Sequence, residues 1–157
     1  MAGARKVKLD REGSFSQAAV RVIKVRSKEV FARSDGVLDL DKVERVHDMR
    51  VATRRLRAAL EIFEPCFPHK RQRKALKKVK ALADALGERR DADVEIALLE
   101  GLVEEAAEAD RSALRNLIEE LRLRQAEANE SLAPYVAPKQ LKKLRRRLKK
   151  LVKKAGR

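Results

Sequence analysis

Residues 46–63 read VHDMRVATRRLRAALEIF, and within them His47, Arg50, Arg54 and Arg57 step by three, four and three positions. At about 100° per residue, that spacing gathers all four on one side of a helix. Like charges three or four residues apart repel, each pair costing about 0.2–0.5 kcal/mol. A bound polyanion would remove that repulsion. Arginine offers planar forks to phosphate oxygens, and histidine adds a group whose unperturbed titration lies near neutral pH. From His47 to Arg57 the column spans roughly 15 Å at the helical rise, which suits an extended anion better than a single phosphate. Arg55 falls outside the column and reads as solvated, while Glu61 stands four residues from Arg57, in pairing distance.

A second helix carries a similar set. Lys70, Arg73, Lys74, Lys77 and Lys80 line one side of a segment whose other side holds Leu76, Val79, Leu82, Ala83 and Leu86. Lys77 and Lys80 are the members that best face the first column if the two helices pack antiparallel. The core stripe of the first helix is Met49, Ala52, Leu56, Ala59, Leu60 and Phe63, beside the cations rather than opposite them. Either charged face, taken alone, is more often simply solvated than functional.

Positioning these residues calls for several helices. The punctuation predicts one from about Ser14 to Ser34, a loop at Asp35-Gly36, and a second helix capped by Asp41 with Glu44 in capping-box spacing. Pro65 and Pro68 bracket its end. A third helix is expected from about Pro68 to Leu86, stopped by Gly87, and a fourth from Asp91 to about Ala107. A fifth, capped by Asp110, should run to about Leu132, with Pro134 and Pro138 interrupting and Pro138 able to open a sixth. No strand-like alternation of useful length occurs. The expected fold is all-α, an antiparallel bundle of four to six helices over residues 1–135. Residues 136–157 form a basic amphipathic helix, its leucines packed on the bundle or extending it. Packing with added charge is the favoured role for that helix; sharper roles, at an anionic membrane surface, on nucleic acid or against a partner helix, stay open beside it.

The 157 residues suit one domain, with 44% hydrophobic residues supplied by Ala, Leu and Val. Lys and Arg number 39 against 24 Asp and Glu, a net charge of +15, whose physical use is to attract a polyanion. Cys66 is the single cysteine and reads as a small buried hydrophobe in a reducing compartment. The opening MAGARKVKLDREGSF has no apolar core of a signal peptide, and no uncharged run approaches the ~18 residues of a membrane span, so a cytoplasmic protein is expected.

Other ligand classes fit less well. Nucleic acid is permitted by charge, but with one Tyr, four Phe and no Trp there is little to stack on bases, and no familiar duplex-reading motif is present. Metal catalysis lacks a ligand cluster, since His47 and His69 lie on separate elements and Cys66 has no partner cysteine. No nucleophile–base pair or Gly-rich phosphate loop is seen, so neither an enzyme nor a cofactor is expected; Asp91 and Asp93 beside Arg90 could be imagined around Mg²⁺, yet fit a helix start better.

The segment 46–63 also resembles the hallmark of the CHAD family (conserved histidine α-helical domain), V-H-x-x-R-V-x-x-R-R-L-R. Downstream, ALGERRDADVEIALLEGL resembles the family's second signature, L-G-x-x-R-D-x-D-V. The resemblance covers about residues 12–135. It implies an all-helical, non-catalytic module that binds inorganic polyphosphate through a His/Arg/Lys-lined surface, in some members on polyphosphate granules. The hallmark residues here are His47, Arg50, Arg54, Arg55 and Arg57, of which the helical wheel favours Arg50, Arg54 and Arg57. The second signature supplies Arg90, expected to reach the groove from a helix start, and Asp91, expected to cap that helix or orient an arginine. Lys77 and Lys80 come from the wheel alone. A full CHAD domain resembles two related bundles. This sequence holds one hallmark helix, and His69 in FPHKRQRK does not match it, so a single half is expected, completed by a homodimer.

Overall fold

In the computed structural model, which describes residues 3–156, the first helix is set by Ser14. Its Oγ accepts the Gln17 backbone N–H at 3.1 Å, and the Gln17 side chain accepts the Ser14 N–H at 2.9 Å, a reciprocal capping box. This helix, α1, runs Phe15–Ala32.

The second helix, α2, spans Val43–Ile62. Asp41 is not its cap: Lys42 occupies that position, without a side-chain cap bond. The acid that organises this turn lies two residues earlier. Asp39 accepts the Asp41 N–H at 3.0 Å and meets Lys42 Nζ at 3.2 Å, and these bonds, the backbone one first, hold its carboxyl below the usual range. An Asx-type turn precedes the helix where a capping box was expected, and the helix start itself has no side-chain cap.

After a 3-10 turn at Glu64–Cys66, α3 runs unbroken through His69–Glu105, 37 residues and about 55 Å. The expected third and fourth helices are therefore one. Gly87 is not a terminator; the glycines with positive φ are Gly36 and Gly156. Helix persists because the buried stripe continues past it through Leu86, Ala92, Asp93 and Ile96. A glycine costs a helix interior about 1 kcal/mol, less than that buried face contributes. Asp91, in consequence, lies mid-helix and exposed, and caps nothing.

The fourth helix, α4, is Glu108–Val136, with Ala107 at the cap position. Asp110, expected as the cap, sits in the first turn with Glu108, where both carboxylates face the positive end of the helix dipole. Pro134 lies inside α4, close enough to its end that the lost hydrogen bond is tolerated. The last helix, α5, is Pro138–Val152 with Pro at its first position.

All five helices contribute to an all-α bundle, and no strand occurs among the described residues. One core joins α1, α2, α5, the first half of α3 and the end of α4, around Ile23, Met49, Leu56, Leu60, Val79, Leu86 and Leu132. Leu141, Leu144, Leu148 and Leu151 of α5 enter this same core. Arg145 lies 4.7 Å from the centre of the Phe31 ring, and the Gly156 N–H donates to the Cys66 carbonyl at 2.9 Å, fixing α5 at both flanks. Cys66 is buried, as expected of a small hydrophobe. Beyond this core the second half of α3 pairs with α4 alone, over a small cluster of Ile96, Ile118 and Leu121. None of the helices is long and apolar enough to cross a membrane, among the described residues.

Candidate functional site

The α2 core stripe is buried as its spacing predicts: Met49, Ala52, Leu56, Ala59, Leu60 and Phe63 all face inward. That fixes the rotation of α2 and sets His47, Arg50, Arg54 and Arg57 along its flank, with Arg54 exposed and the other three half-buried. On α3 the stripe of Val79, Leu82, Ala83 and Leu86 is buried, with Leu76 partly so, leaving Lys77 exposed and Lys80 half-buried.

The flanks meet. Glu61 Oε1 accepts from Arg57 Nε at 3.1 Å and lies 3.5 Å from Lys80 Nζ, bridging α2 to α3. One end further along, Arg50 Nε lies 3.9 Å from where a side chain on Gly87 would begin. Position 57 is thus level with 80, and 50 with 87, the signature of antiparallel packing; the same register runs 47 level with 90. So Arg57, Lys80, Arg50 and the backbone at Gly87 are brought together, and His47 and Arg90 share the far end by register. Arg90 stands on the middle of α3 rather than at a helix start, half-buried.

Two of the seven expected cations are engaged by a carboxylate, Arg57 and Lys80, both by Glu61. The bond from Arg57 is the first cause that keeps the Glu61 carboxyl below its usual range, with Lys80 adding to it. Among the described residues, the side chains of His47, Arg50, Arg54, Lys77 and Arg90 have no hydrogen bond or ion pair. Lys77 and Lys80 line a groove of about 870 Å³ along α3, together with His69, Lys70, Arg73, Lys74 and one acid, Asp84.

Arg55 departs from expectation. It is half-buried on the α1 side of α2, and its charge reaches Glu29. Glu29 is buried, and accepts the Arg5 N–H at 2.6 Å and Arg26 Nη1 at 2.9 Å. Burial alone would raise its carboxyl pKa; the bonds from Arg26 and Arg5 and the charges of Arg26 and Arg55 outweigh it, and the net shift is downward.

Two features escaped the sequence reading. Arg89 and Asp93 form a fully buried i,i+4 ion pair within α3, and from α4 Gln125 Nε2 donates to Asp93 Oδ1 at 2.7 Å. The i,i+4 pairing of opposite charges was the available signal, masked by the adjacent Arg90-Asp91. A cleft of about 330 Å³ also opens between α3 and α5, lined by Arg71, Lys74, Lys143, Arg146, Arg147 and Lys150 around Leu151. Its α5 wall was visible as a charge run, but pairing it with α3 needed the fold. Among the described residues, no group of three or more His, Cys, Asp and Glu stands close enough to hold a metal ion.

The family model of the CHAD domain matches residues 22–157, through α5 to the end of the sequence. Comparison with curated proteins gives no match, and comparison with solved structures gives none.

Proposed function

The chain belongs to the CHAD domain family, and from that premise we propose that it binds inorganic polyphosphate on the α2–α3 face and catalyses no reaction. The observation that carries the reading is the antiparallel register of two cation columns, in which Arg50, Arg54, Lys77 and Arg90 have no partner among the described residues. Cations packed without counter-charge at the edge of a rigid core repel one another, and phosphates threaded between them would exchange that repulsion for charge-assisted hydrogen bonds. His47 and Arg90 would hold one end of the chain, and Arg57 and Lys80 would be released from Glu61 as it passes. A role at polyphosphate granules follows from the same affinity. A second copy would offer an opposing basic face, so we extend the proposal to a homodimer; a solution mass that stays monomeric at micromolar concentration, with and without polyphosphate, defeats that extension.

The test replaces Arg50, Arg54 and Lys77 with Ala together. Each is free of internal bonds, so thermal unfolding should be unchanged or improved. Polyphosphate affinity should fall at least about tenfold, ~1.4 kcal/mol. Unchanged affinity, or displacement of bound polyphosphate by duplex DNA at equal phosphate concentration, would refute the assignment. Release of orthophosphate from long-chain polyphosphate with added Mg²⁺ would reverse the non-catalytic reading.

A further inference from the structure

The α3 groove and the α3–α5 cleft are separate cavities that share one residue, Lys74. On α3, Arg90, Lys80, Lys77 and Lys74 occur in that order over 16 positions, about 24 Å of helix, and each is rotated further around the axis. The cationic line therefore winds from the side of α3 that meets α2 to the side that meets α5. There Arg71 and Lys74 form one wall, and Lys143, Arg146, Arg147 and Lys150 form the other. The α5 wall repeats the ladder spacing, with 143, 147 and 150 stepping by four and three.

No acid lines this cleft, and none of its six cations takes part in an ion pair or side-chain hydrogen bond among the described residues. Helix α4 shows the contrast, since Arg122 and Arg124 there pair with Glu100 and Glu95 of α3. Solubility is served by such a mixed surface. Two like-charged walls facing each other across a narrow gap are not needed for it, and they raise the repulsion that α5 must overcome to dock. Docking is secured instead by its buried leucines and by Arg145 on Phe31.

We infer that the α3–α5 cleft is a second phosphate subsite, continuous through Lys74 with the α2–α3 face, so that one long polyphosphate chain occupies both while a short chain occupies one. This rests on the polyphosphate reading and adds to it a length dependence and a defined path. Affinity then rises with chain length in two stages, the second when a chain reaches past Lys74 into the cleft.

The experiment titrates tripolyphosphate and polyphosphates of increasing length against four proteins at fixed salt. One is the wild type. The second carries Lys143→Ala, Arg146→Ala and Lys150→Ala, all exposed on α5. The third carries Arg71→Ala and Arg147→Ala, one from each wall, and leaves the shared Lys74 in place. The fourth is a control of equal charge loss to the second, Lys6→Ala, Lys8→Ala and Arg11→Ala, in the exposed N-terminal segment. The expected result is that both cleft variants keep wild-type affinity for tripolyphosphate and lose about tenfold or more on long chains, while the control loses little on either. The inference is overturned if the cleft variants match wild type on long chains, if they lose equally on short and long chains, or if the control loses as much as they do. A wild type that prefers DNA to polyphosphate refutes the underlying reading instead, and is told apart by the first protein alone.

Discussion

Glu61 is the residue on which the candidate site turns, because one carboxylate holds two of the cations that a phosphate would want. Arg57 and Lys80 reach it from different helices. Glu61→Gln frees both without altering the shape of the site. An exposed pair of this kind contributes at most about 1 kcal/mol, so polyphosphate affinity should rise about two- to fivefold, measured by titration at fixed salt. A fall would mean that Glu61 organises the site rather than competing for it. Glu29 poses the corresponding question for stability. Its carboxyl pKa is held below the ordinary 4.5. A depressed carboxyl stabilises the fold above its unfolded pKa, and that contribution is lost as pH falls through the folded value. Glu29→Gln should therefore cost about 1–3 kcal/mol at pH 7 in chemical denaturation, and the gap to wild type should close as pH drops below 4.5. The local sequence showed the column and the Glu61–Arg57 pair, since both depend only on spacing within α2. It showed neither the Lys80 contact nor the surroundings of Glu29 and Arg55, which arise between helices distant in sequence.

The fusion of two expected helices into α3 is the main lesson at the level of elements. Gly87 reads as a stop in the sequence because it closes the apolar-periodic run ALADAL and is followed by the charged run ERRD. What overrides it is tertiary: the face through Leu86, Arg89, Asp93 and Ile96 finds α4. A side chain at Gly87 would meet only Arg50 Nε, at an ordinary 3.9 Å. Gly87→Ala should thus stabilise the protein by roughly 0.5–1 kcal/mol in thermal or chemical denaturation, the reverse of what a left-handed terminator would show. The buried Arg89–Asp93 pair secures the same stretch. Arg89 Nε and Nη2 and Asp93 Oδ2 have no hydrogen-bond partner among the described residues. Asp93→Ala leaves a buried guanidinium without its counter-charge and should cost about 3–5 kcal/mol, whereas replacing both residues with apolar ones of similar size should recover most of that loss. If the single variant is as stable as wild type, Arg89 is reaching solvent by another route. Helix ends were less legible than helix faces throughout. Asp41 and Asp110 each offered a good capping side chain, yet the cap positions fall at Lys42 and Ala107, neither with a side-chain cap bond.

For the whole molecule, a net charge of +15 is concentrated rather than spread. The excess is greatest on the first half of α3 and on α5, and the α3–α4 arm carries the mixed pairs. The free protein is therefore opposed by its own charge in the part of the bundle that holds the main core. Screening acts on free and bound protein with opposite signs. Added salt shortens the Debye length, from about 30 Å at 0.01 M to about 8 Å at 0.15 M, which weakens repulsion among cations several helix turns apart. The melting temperature of the free protein should therefore rise over that range. Polyphosphate raises it too, by mass action on the folded state, but that increment should shrink as salt rises, because the phosphates then compete with anions already near the cations. The two temperature curves, with and without polyphosphate, should therefore converge as salt increases. Differential scanning fluorimetry across a salt series measures both. Were the free protein to lose stability as salt rises, attraction would dominate its charges, the repulsive clusters on α2, α3 and α5 would be neutralised within the fold, and no stored repulsion would be available to favour an anionic chain.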